Sequence, residues 1–501
     1  MVRKVFIISN TYQDSVALMR LSNMATKVEG VAQASVMMGT ALNKAVLQEV
    51  GLSSSEVDAA KPSDLMLVVQ AESLSVADEV IALVREELNR DAVVDNQVDD
   101  INFSSIDEIL DSDSTFNLAV ISTAGEHAST EARKSLQRGL NVFIFSDNVS
   151  LTDEVELKNL AHREGLLVMG PDCGTSFLGG VPIGFVNRVN RGSIGIIGAS
   201  GTGIQEVMCR IDALGGGVSH AIGTGSHDLS AEVAGISTLD AMAILERDSD
   251  TETIILISKP PEPEIAEKVY TAATKMSVPV VICFIGADHP REDVNLYFTQ
   301  TLEEAAQVAV SLSNGLLPIK KEAERHLKID CEQVGFLRGL YSGGTLAYEA
   351  IHLLQESGLL IKSNIAKSPQ YLLKNNQKSE ENTILDMGDD FFTIGRLHPM
   401  IDYTDRIKRL YEEFADPNVR VILMDIVTGY GSNMKPAEDL LPVISESLHK
   451  RPDIHFVVHI CGTDRDPQSV LELSEALTDA GAIVEFNHVA AVEYARSLLF
   501  V

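Results

Sequence analysis

The residues in this sequence best suited to chemistry are small and hydroxylated, and they stand where helices are expected to start. The apolar run Ile194–Ile197 ends in Gly198-Ala199-Ser200-Gly201-Thr202-Gly203, and a helical pattern begins at Ile204. Glycine lets the backbone turn tightly and brings its N–H groups close to a ligand. A helix start adds unpaired donors and a partial positive charge, so Ser200, Gly201, Thr202 and Gly203 suit an anion such as phosphate. The alternative for this turn is a plain helix cap, worth roughly 1 kcal/mol. The pattern recurs at Ser342-Gly343-Gly344-Thr345, which leads from Gly335–Leu340 into a helix over Leu346–Leu354.

The densest polar cluster is Asp389, Asp390, Arg396, His398 and Asp402. Arg396 could clamp a carboxylate or phosphate at two points. His398 titrates near neutrality in the ordinary case and could move a proton onto a leaving nitrogen. The competing reading is a loop of solvated charges, with His398 held ahead of Pro399. No ligand spacing supports a metal there. Lys259, in a rigid Lys-Pro-Pro loop after a strand, could reach a phosphate. Other strand ends give a cofactor-like cleft of Gly39, Thr40, Ser146, Asp147, Asp172 and Cys173. Cys173 precedes a glycine, where a reactive thiol could sit, although small buried thiols are commoner. His227-Asp228 either lines the same cleft or closes a plain glycine-rich turn.

The elements that must position these residues alternate between strand and helix. In the first third, Val5–Ile8, Ala34–Met38, Leu65–Val69, Leu118–Ile121, Val142–Phe145 and Leu166–Met169 read as buried strands with helical stretches between them. Such alternation predicts a parallel sheet covered on both faces, with ligands beyond the carboxyl ends of its strands. We place a first domain over 1–191, with an acidic insertion near 95–117. A second βα domain follows over 192–314, then a charged linker, then a third βα domain over 334–501. The last two resemble one unit used twice. Glu252–Ile257 parallels Val419–Met424, Cys283–Asp288 parallels His459–Asp464, and the two Ser/Gly/Thr turns correspond. Pseudo-symmetric packing would point two helix starts at one site.

Composition narrows the partners. A net charge of −32, from 72 acidic and 40 basic residues, argues against nucleic acid or an anionic membrane. No apolar run is long enough to span a bilayer. Five scattered cysteines, with none at zinc-finger spacing, fit buried thiols in a reducing cytoplasm.

Several strings resemble the succinyl-CoA synthetase superfamily and, within it, the FdrA family. Gly-Pro-Asp-Cys-Gly-Thr-Ser at 170–176 is similar to the end of the synthetase α-subunit CoA-binding domain, and Ala199-Ser200-Gly201-Thr202 to the turn opening its ligase domain. Leu385–Gly388 and Val421–Gly431 resemble the carboxyl-terminal ligase domain of the β subunit, which implies a third anion turn at Gly429, Tyr430, Gly431 and Ser432, where that subunit presents its own phosphate-facing helix start. Val36–Thr40, Phe145–Val149, Gly388–Phe391 and His398–Asp402 match FdrA more narrowly. The resemblance implies an α/β multidomain chain, a CoA-binding Rossmann-like domain followed by two flavodoxin-like ligase-type domains. It implies a subunit of a carbamoyltransferase of purine and allantoin breakdown, passing a carbamoyl group from oxalurate to phosphate with other subunits as partners. Phosphate is then a substrate. CoA is a further possibility, against which Asn10–Ser15 offers no glycine after the first strand.

Three departures limit the synthetase reading. Gly286–Arg291, with His289 ahead of a proline, lacks the Gly-His-Ala-Gly context of the phosphohistidine. No segment has the length or composition of an ATP-grasp domain, and the first-strand loop lacks glycine. The rival functions are an acyl-CoA synthetase working with a separate ATP-grasp partner, and a non-catalytic scaffold or metabolite-binding protein.

Overall fold

The computed structural model describes residues 1–501 apart from 10, 12, 14, 50, 95–104, 288–293, 319–332, 394–395 and 501. The first unit contains β1 (Val2–Ile8), α1 (Ser15–Thr26), β2 (Val31–Met38), α2 (Ala41–Glu49), α3 (Ser55–Ala59), β3 (Leu65–Ala71) and α4 (Leu74–Val94). Its sheet order is β1-β3-β2, and both outer strands run antiparallel to β3, with Val5 opposite Val68 and Val36 opposite Leu67. This corrects the parallel sheet expected across 1–191. β1 and β2 do run the same way across α1, but they leave a gap that β3 enters from the other direction, a split βαβ arrangement.

The next unit holds α5 (Ile106–Ser112), β4 (Leu118–Ile121), α6 (Gly125–Gln137), β5 (Asn141–Ile144), α7 (Leu151–Glu164) and β6 (Val168–Met169). β4-β5-β6 is parallel, as expected, but forms a separate three-stranded sheet. Of the predicted acidic insertion, 95–104 lies outside the described residues, and the rest is mainly α5.

A seven-stranded sheet follows. A hairpin, β7 (Thr175–Leu178) and β8 (Val181–Gly184), precedes β9 (Arg191–Gly198), α8 (Gly201–Ala213), β10 (Val218–Gly223) and α9 (Ile236–Arg247). Then come β11 (Thr253–Ser258), α10 (Pro263–Ala273), β12 (Val280–Phe284), β13 (Leu296–Phe298) and α11 (Leu302–Ser313). The sheet order is β13-β12-β11-β9-β10-β7-β8, so the hairpin from before residue 191 belongs to this sheet.

The last unit has β14 (Phe336–Tyr341), α12 (Gly344–Glu356), β15 (Lys362–Ser363), β16 (Thr383–Asp386), α13 (Asp390–Thr393) and α14 (Thr404–Phe414). It continues with β17 (Val419–Val427), α15 (Pro436–Lys450), β18 (His455–Cys461), α16 (Val470–Asp479), β19 (Ile483–Glu485) and α17 (His488–Ser497). Its order is β15-β16-β14-β17-β18-β19. Leaving aside the edge additions, β10-β9-β11-β12-β13 and β16-β14-β17-β18-β19 share the flavodoxin-like order 2-1-3-4-5. The suspected duplication is thus present as topology. β11 and most of β17 are buried along their length, as central parallel strands covered on both faces must be.

The two repeats share one hydrophobic core, which runs from Ile194 and Val207 through Leu302 and Leu346 to Val457 and Val492. Two buried acid–histidine pairs sit within that shared interface. His459 Nε2 on β18 lies 2.8 Å from Glu206 Oε2 on α8, and both side chains are almost wholly buried. Glu349 on α12 meets His488 Nδ1 at 2.5 Å, and the other ring nitrogen lies 3.1 Å from the Tyr341 hydroxyl. Burial opposes charge on both members of the first pair, yet His459 holds Glu206 below its ordinary value and Glu206 holds His459 above its own. The acid's contribution is full above its ordinary 4.5 and lost as pH falls, while the histidine's is full below 6.5 and lost as pH rises. The pair therefore contributes most between those two values. We predict that Glu206→Ala costs about 3–5 kcal/mol in urea unfolding at pH 6, because it strands a buried imidazolium. The double variant Glu206→Leu with His459→Leu should cost less than Glu206→Ala alone; equal or greater loss would count against an ion pair.

Candidate functional site

Both Ser/Gly/Thr turns sit at the carboxyl ends of central strands, one after β9 and the other after β14, and they touch. A Cβ on Gly343 would lie 2.6–2.8 Å from the side chain of Thr202, and one on Gly203 would lie 3.1 Å from the Thr345 methyl. The contact is reciprocal: each helix seats its threonine where the other has glycine. Ser200 Oγ and Thr345 Oγ1 share a hydrogen bond at 2.5 Å across the junction. The expected convergence of two helix starts is therefore present.

Their donors are only partly free. Ser200 Oγ caps α8 by accepting the Gly203 N–H at 3.0 Å. On the other side, the Asp425 carboxylate accepts the Ser342 N–H at 2.8 Å, the Ser342 hydroxyl at 3.0 Å and the Gly343 N–H at 3.0 Å. Asp425 is itself fully buried and paired with Arg406 at 2.7 Å. A built-in carboxylate thus takes the place the sequence reading gave to phosphate at Ser342 and Gly343. The half-open rim consists of Ser200, Gly201, Gly344, Lys259, Gly388 and His398. α12 has no side-chain cap, so its first turn keeps donors on this side.

Lys259 and Asp386 complete the rim. A Cβ on Gly344 would collide with Asp386 Oδ2 and lie 3.4 Å from Lys259 Nζ. A Cβ on Gly388 would lie 2.8 Å from His398 Nε2 and 3.2 Å from Asp386 Oδ1. These two glycines leave the space that the carboxylate and imidazole occupy. Among the described residues, Lys259 Nζ has no hydrogen-bond or ion-pair partner. Burial pushes the Asp386 carboxyl up to about 6, with Lys259 opposing the rise. Sequence reasoning quoted Asp386 only as part of a family string. An acid closing an apolar strand just before Met-Gly was the available signal.

His398 corrects an expectation. Burial pushes it down to about 4, so the ring is neutral at physiological pH and does not titrate near neutrality. Its Nδ1 accepts the Met400 N–H at 3.2 Å, which leaves the proton on Nε2, toward Gly388. Arg396 is not beside it. It is exposed and pairs with Asp405 at 3.0 Å on the surface. Asp390 is also exposed, and Asp402 accepts a hydrogen bond from Asn23 of α1.

Gly429–Ser432 is not a helix start either. The Gly429 N–H goes to Gln468 Oε1 at 3.0 Å and the Tyr430 N–H to the Val186 carbonyl at 2.9 Å, while α15 begins only at Pro436. Gly431 packs against the Phe185 ring. The cofactor-like cleft divides. Ser146, Asp147 and Asp172 meet at the ends of β5 and β6, where the Asp172 N–H donates to the Ser146 carbonyl at 3.0 Å. Gly39 lies at the end of β2, and the neighbouring Thr40 lines, with Lys61 and His127, a cavity of about 470 Å³. Cys173 is buried and its thiol pushed up to about 12 by that burial, which disfavours the thiolate a nucleophile needs. Asp228 is fully buried against Lys158 Nζ at 2.8 Å and caps α9 through the Thr238 N–H, a fold contact. His289 lies outside the described residues.

Two predictions follow from this geometry. Gly343→Ala should cost about 1–3 kcal/mol in thermal or urea unfolding through overpacking, and Thr202→Ala in the same chain should recover most of it. No recovery would mean the two turns are not in contact. Asp386 binds a proton more tightly folded than unfolded, so its stabilising share is complete below pH about 4 and lost as pH rises through 6. Asp386→Asn should therefore unfold at higher temperature than wild type at pH 8, by up to about 3 kcal/mol, with no gain at pH 4.

Comparison with known proteins places these features. Residues 340–497 match the CoA-ligase family, residues 189–286 the CoA binding domain family, and residues 1–101 the family described as AllF, heavy metal-associated domain. The CoA-binding match thus lies on the seven-stranded sheet. There the close approach offered by Gly203 is taken by Ser200 and Thr345. Residues 1–101 contain neither cysteine nor histidine, so they lack the thiolate and imidazole ligands a heavy metal ion would ordinarily take, and among the described residues no acid, cysteine or histidine cluster could hold one. No described helix is long and apolar enough to cross a membrane. The α subunit of the ADP-forming succinate–CoA ligase of Methanothermobacter thermautotrophicus is 25% identical over 38% of this chain and 63% of its own length. The dinucleotide-forming acetyl-coenzyme A synthetase 1 of Ca. Korarchaeum cryptofilum aligns over 79% of this chain and 86% of its own, at 16% identity and a TM-score of 0.33. The uncharacterized protein YahF of Escherichia coli K12 is 42% identical over 96% of this chain and 95% of its own. With that full-length relative and the AllF, CoA-binding and CoA-ligase matches, the chain belongs to the FdrA family of succinyl-CoA synthetase-like proteins.

Proposed function

We propose that the rim between α8 and α12 binds phosphate and a small ureido carboxylate, and that the chain serves as a subunit of a carbamoyltransferase. The observation that carries this reading is Lys259. It is a half-buried ammonium without a partner among the described residues, set beside two helix starts at the carboxyl ends of both repeated sheets. A cation and uncapped helix donors at one point favour a multiply charged anion. Neutral His398 can donate from Nε2 to a carbonyl oxygen where charge develops. The reaction is oxalurate plus hydrogenphosphate to oxamate plus carbamoyl phosphate. A phosphate oxygen bonds to the carbamoyl carbon, that carbon's bond to the oxamate nitrogen breaks, and the proton lost by hydrogenphosphate ends on that nitrogen. No outside oxidant or proton donor is required. The AllF-type match over 1–101 supports the allantoin-linked role and a multi-subunit setting.

A second reading, acyl-CoA formation with a separate ATP-grasp partner, draws on the CoA-ligase match. One comparison separates the two. Phosphate-dependent oxalurate cleavage, followed as carbamoyl phosphate, is expected in the complex this chain brings down from its native cells. Lys259→Ala in that complex should raise the KM for phosphate about tenfold, with a smaller change in kcat. Thioester formation dependent on CoA and ATP, with no oxalurate cleavage, would return the protein to the ligases. An unchanged KM would remove Lys259 from the site.

A further inference from the structure

Asp386 is the group at the rim that phosphate binding leaves without a task. It ends β16 and is only 7% exposed. Its Oδ1 accepts the Gly388 N–H at 2.9 Å, but Oδ2 has no hydrogen-bond donor among the described residues. That free oxygen lies against Gly344, at the mouth of the site, with Lys259 Nζ close to the same point. The charged and titratable groups facing it are Lys259 from the loop after β11, Asp389 on its own turn, Asp425 at the end of β17, and His398 across Gly388. Oδ2 stays open toward the mouth, so a ligand that covers it must bring a donor, since leaving it unpaired would then be costly. Phosphate is a poor choice, because it brings mainly acceptor oxygens of the same sign.

We propose that Asp386 Oδ2 accepts a hydrogen bond from the –NH2 of a carbamoyl group, so that Asp386 selects carbamoyl over acyl ligands at this site. The inference rests on the phosphate-and-carbamoyl reading above and gives its specificity a residue. Carbamoyl and acetyl groups have nearly the same size and the same carbonyl; they differ in having –NH2 or –CH3. Lys259 and the α12 start hold the phosphoryl oxygens, which places the neighbouring carbonyl substituent against the carboxylate. A methyl there would bury Oδ2 without a donor. A site built around a buried hydrogen-bonding group rejects an analogue that lacks the matching one far more strongly than an apolar pocket rejects a change of size.

The test is equilibrium binding of two stable phosphonates to the full chain at pH 7.5. Phosphonoacetamide carries the amide –NH2, and acetonylphosphonate carries a methyl in its place. Wild type is expected to hold the amide about tenfold tighter. Asp386→Ala should abolish that preference, while Asp386→Asn, which keeps the shape and one acceptor oxygen, should retain part of it and exclude a folding artefact. Equal binding of both phosphonates to wild type would overturn the assignment while leaving the phosphate site standing. Loss of affinity for both ligands alike in Asp386→Ala, with the amide preference intact, would also overturn it and make Asp386 a support for Lys259. Failure of both phosphonates to bind wild type would overturn the phosphate reading, and the inference with it.

Discussion

The architecture turns on a steric exchange between two first helical turns. Thr202 fills the space above Gly343 while Thr345 fills the space above Gly203, and the two hydroxyl-bearing turns close on each other. Any side chain at either glycine forces the turns apart, because interiors have no slack for an extra methyl group. Since α8 and α12 each begin at the end of a central strand, this contact, together with the core the repeats share, fixes how the two repeated sheets face each other. It also decides where the rim of the candidate site opens. Lys259 arrives from one sheet, and Asp386 and His398 from the other.

Charge inside this interface is handled in two ways. Where groups are sealed from water they are paired: Glu206 with His459, Glu349 with His488, and Asp425 with Arg406 and three further donors from the Ser342-Gly343 turn. Such pairs add little net stability over apolar packing, but breaking one strands a buried charge. Glu206–His459 crosses from α8 to β18, and Glu349 also accepts the Leu302 N–H at 2.8 Å, so these two hold the register in which the repeats close, while Asp425 and Arg406 brace the last repeat internally. At the rim the pairing stops. Among the described residues, Lys259 Nζ and Asp386 Oδ2 are left without hydrogen bonds on the side a ligand would enter. The contrast between these paired buried charges and two groups left open at the edge separates the site from its support.

The second turn shows why a motif can be right about geometry and wrong about occupancy. Ser342-Gly343 does form an anion-holding turn, and the anion it holds is Asp425, eighty-two residues beyond Gly343. The same logic explains Arg396 and His398. Both stand in the polar cluster that the sequence displays, yet a few residues along the loop carry one to a surface ion pair and the other under enough protein to lose its proton.

By itself, the sequence determined the element types. Strand runs such as Thr383–Asp386 and Val419–Val427, the two Ser/Gly/Thr helix starts and the repeated βα order are all carried by local periodicity and by residues with special backbone freedom. Those signals span ten or fifteen residues, and they survive folding because each element must satisfy its own hydrogen bonds and show one apolar face. Only the tertiary structure decided the partners. It placed β3 between β1 and β2 and drew the 175–184 hairpin into the second sheet. It also gave Asp425 the donors expected for phosphate and brought Lys259 beside Asp386. Pairings across tens to hundreds of residues leave no mark in local spacing, because any acid ending a strand reads alike until the chain that faces it is in place.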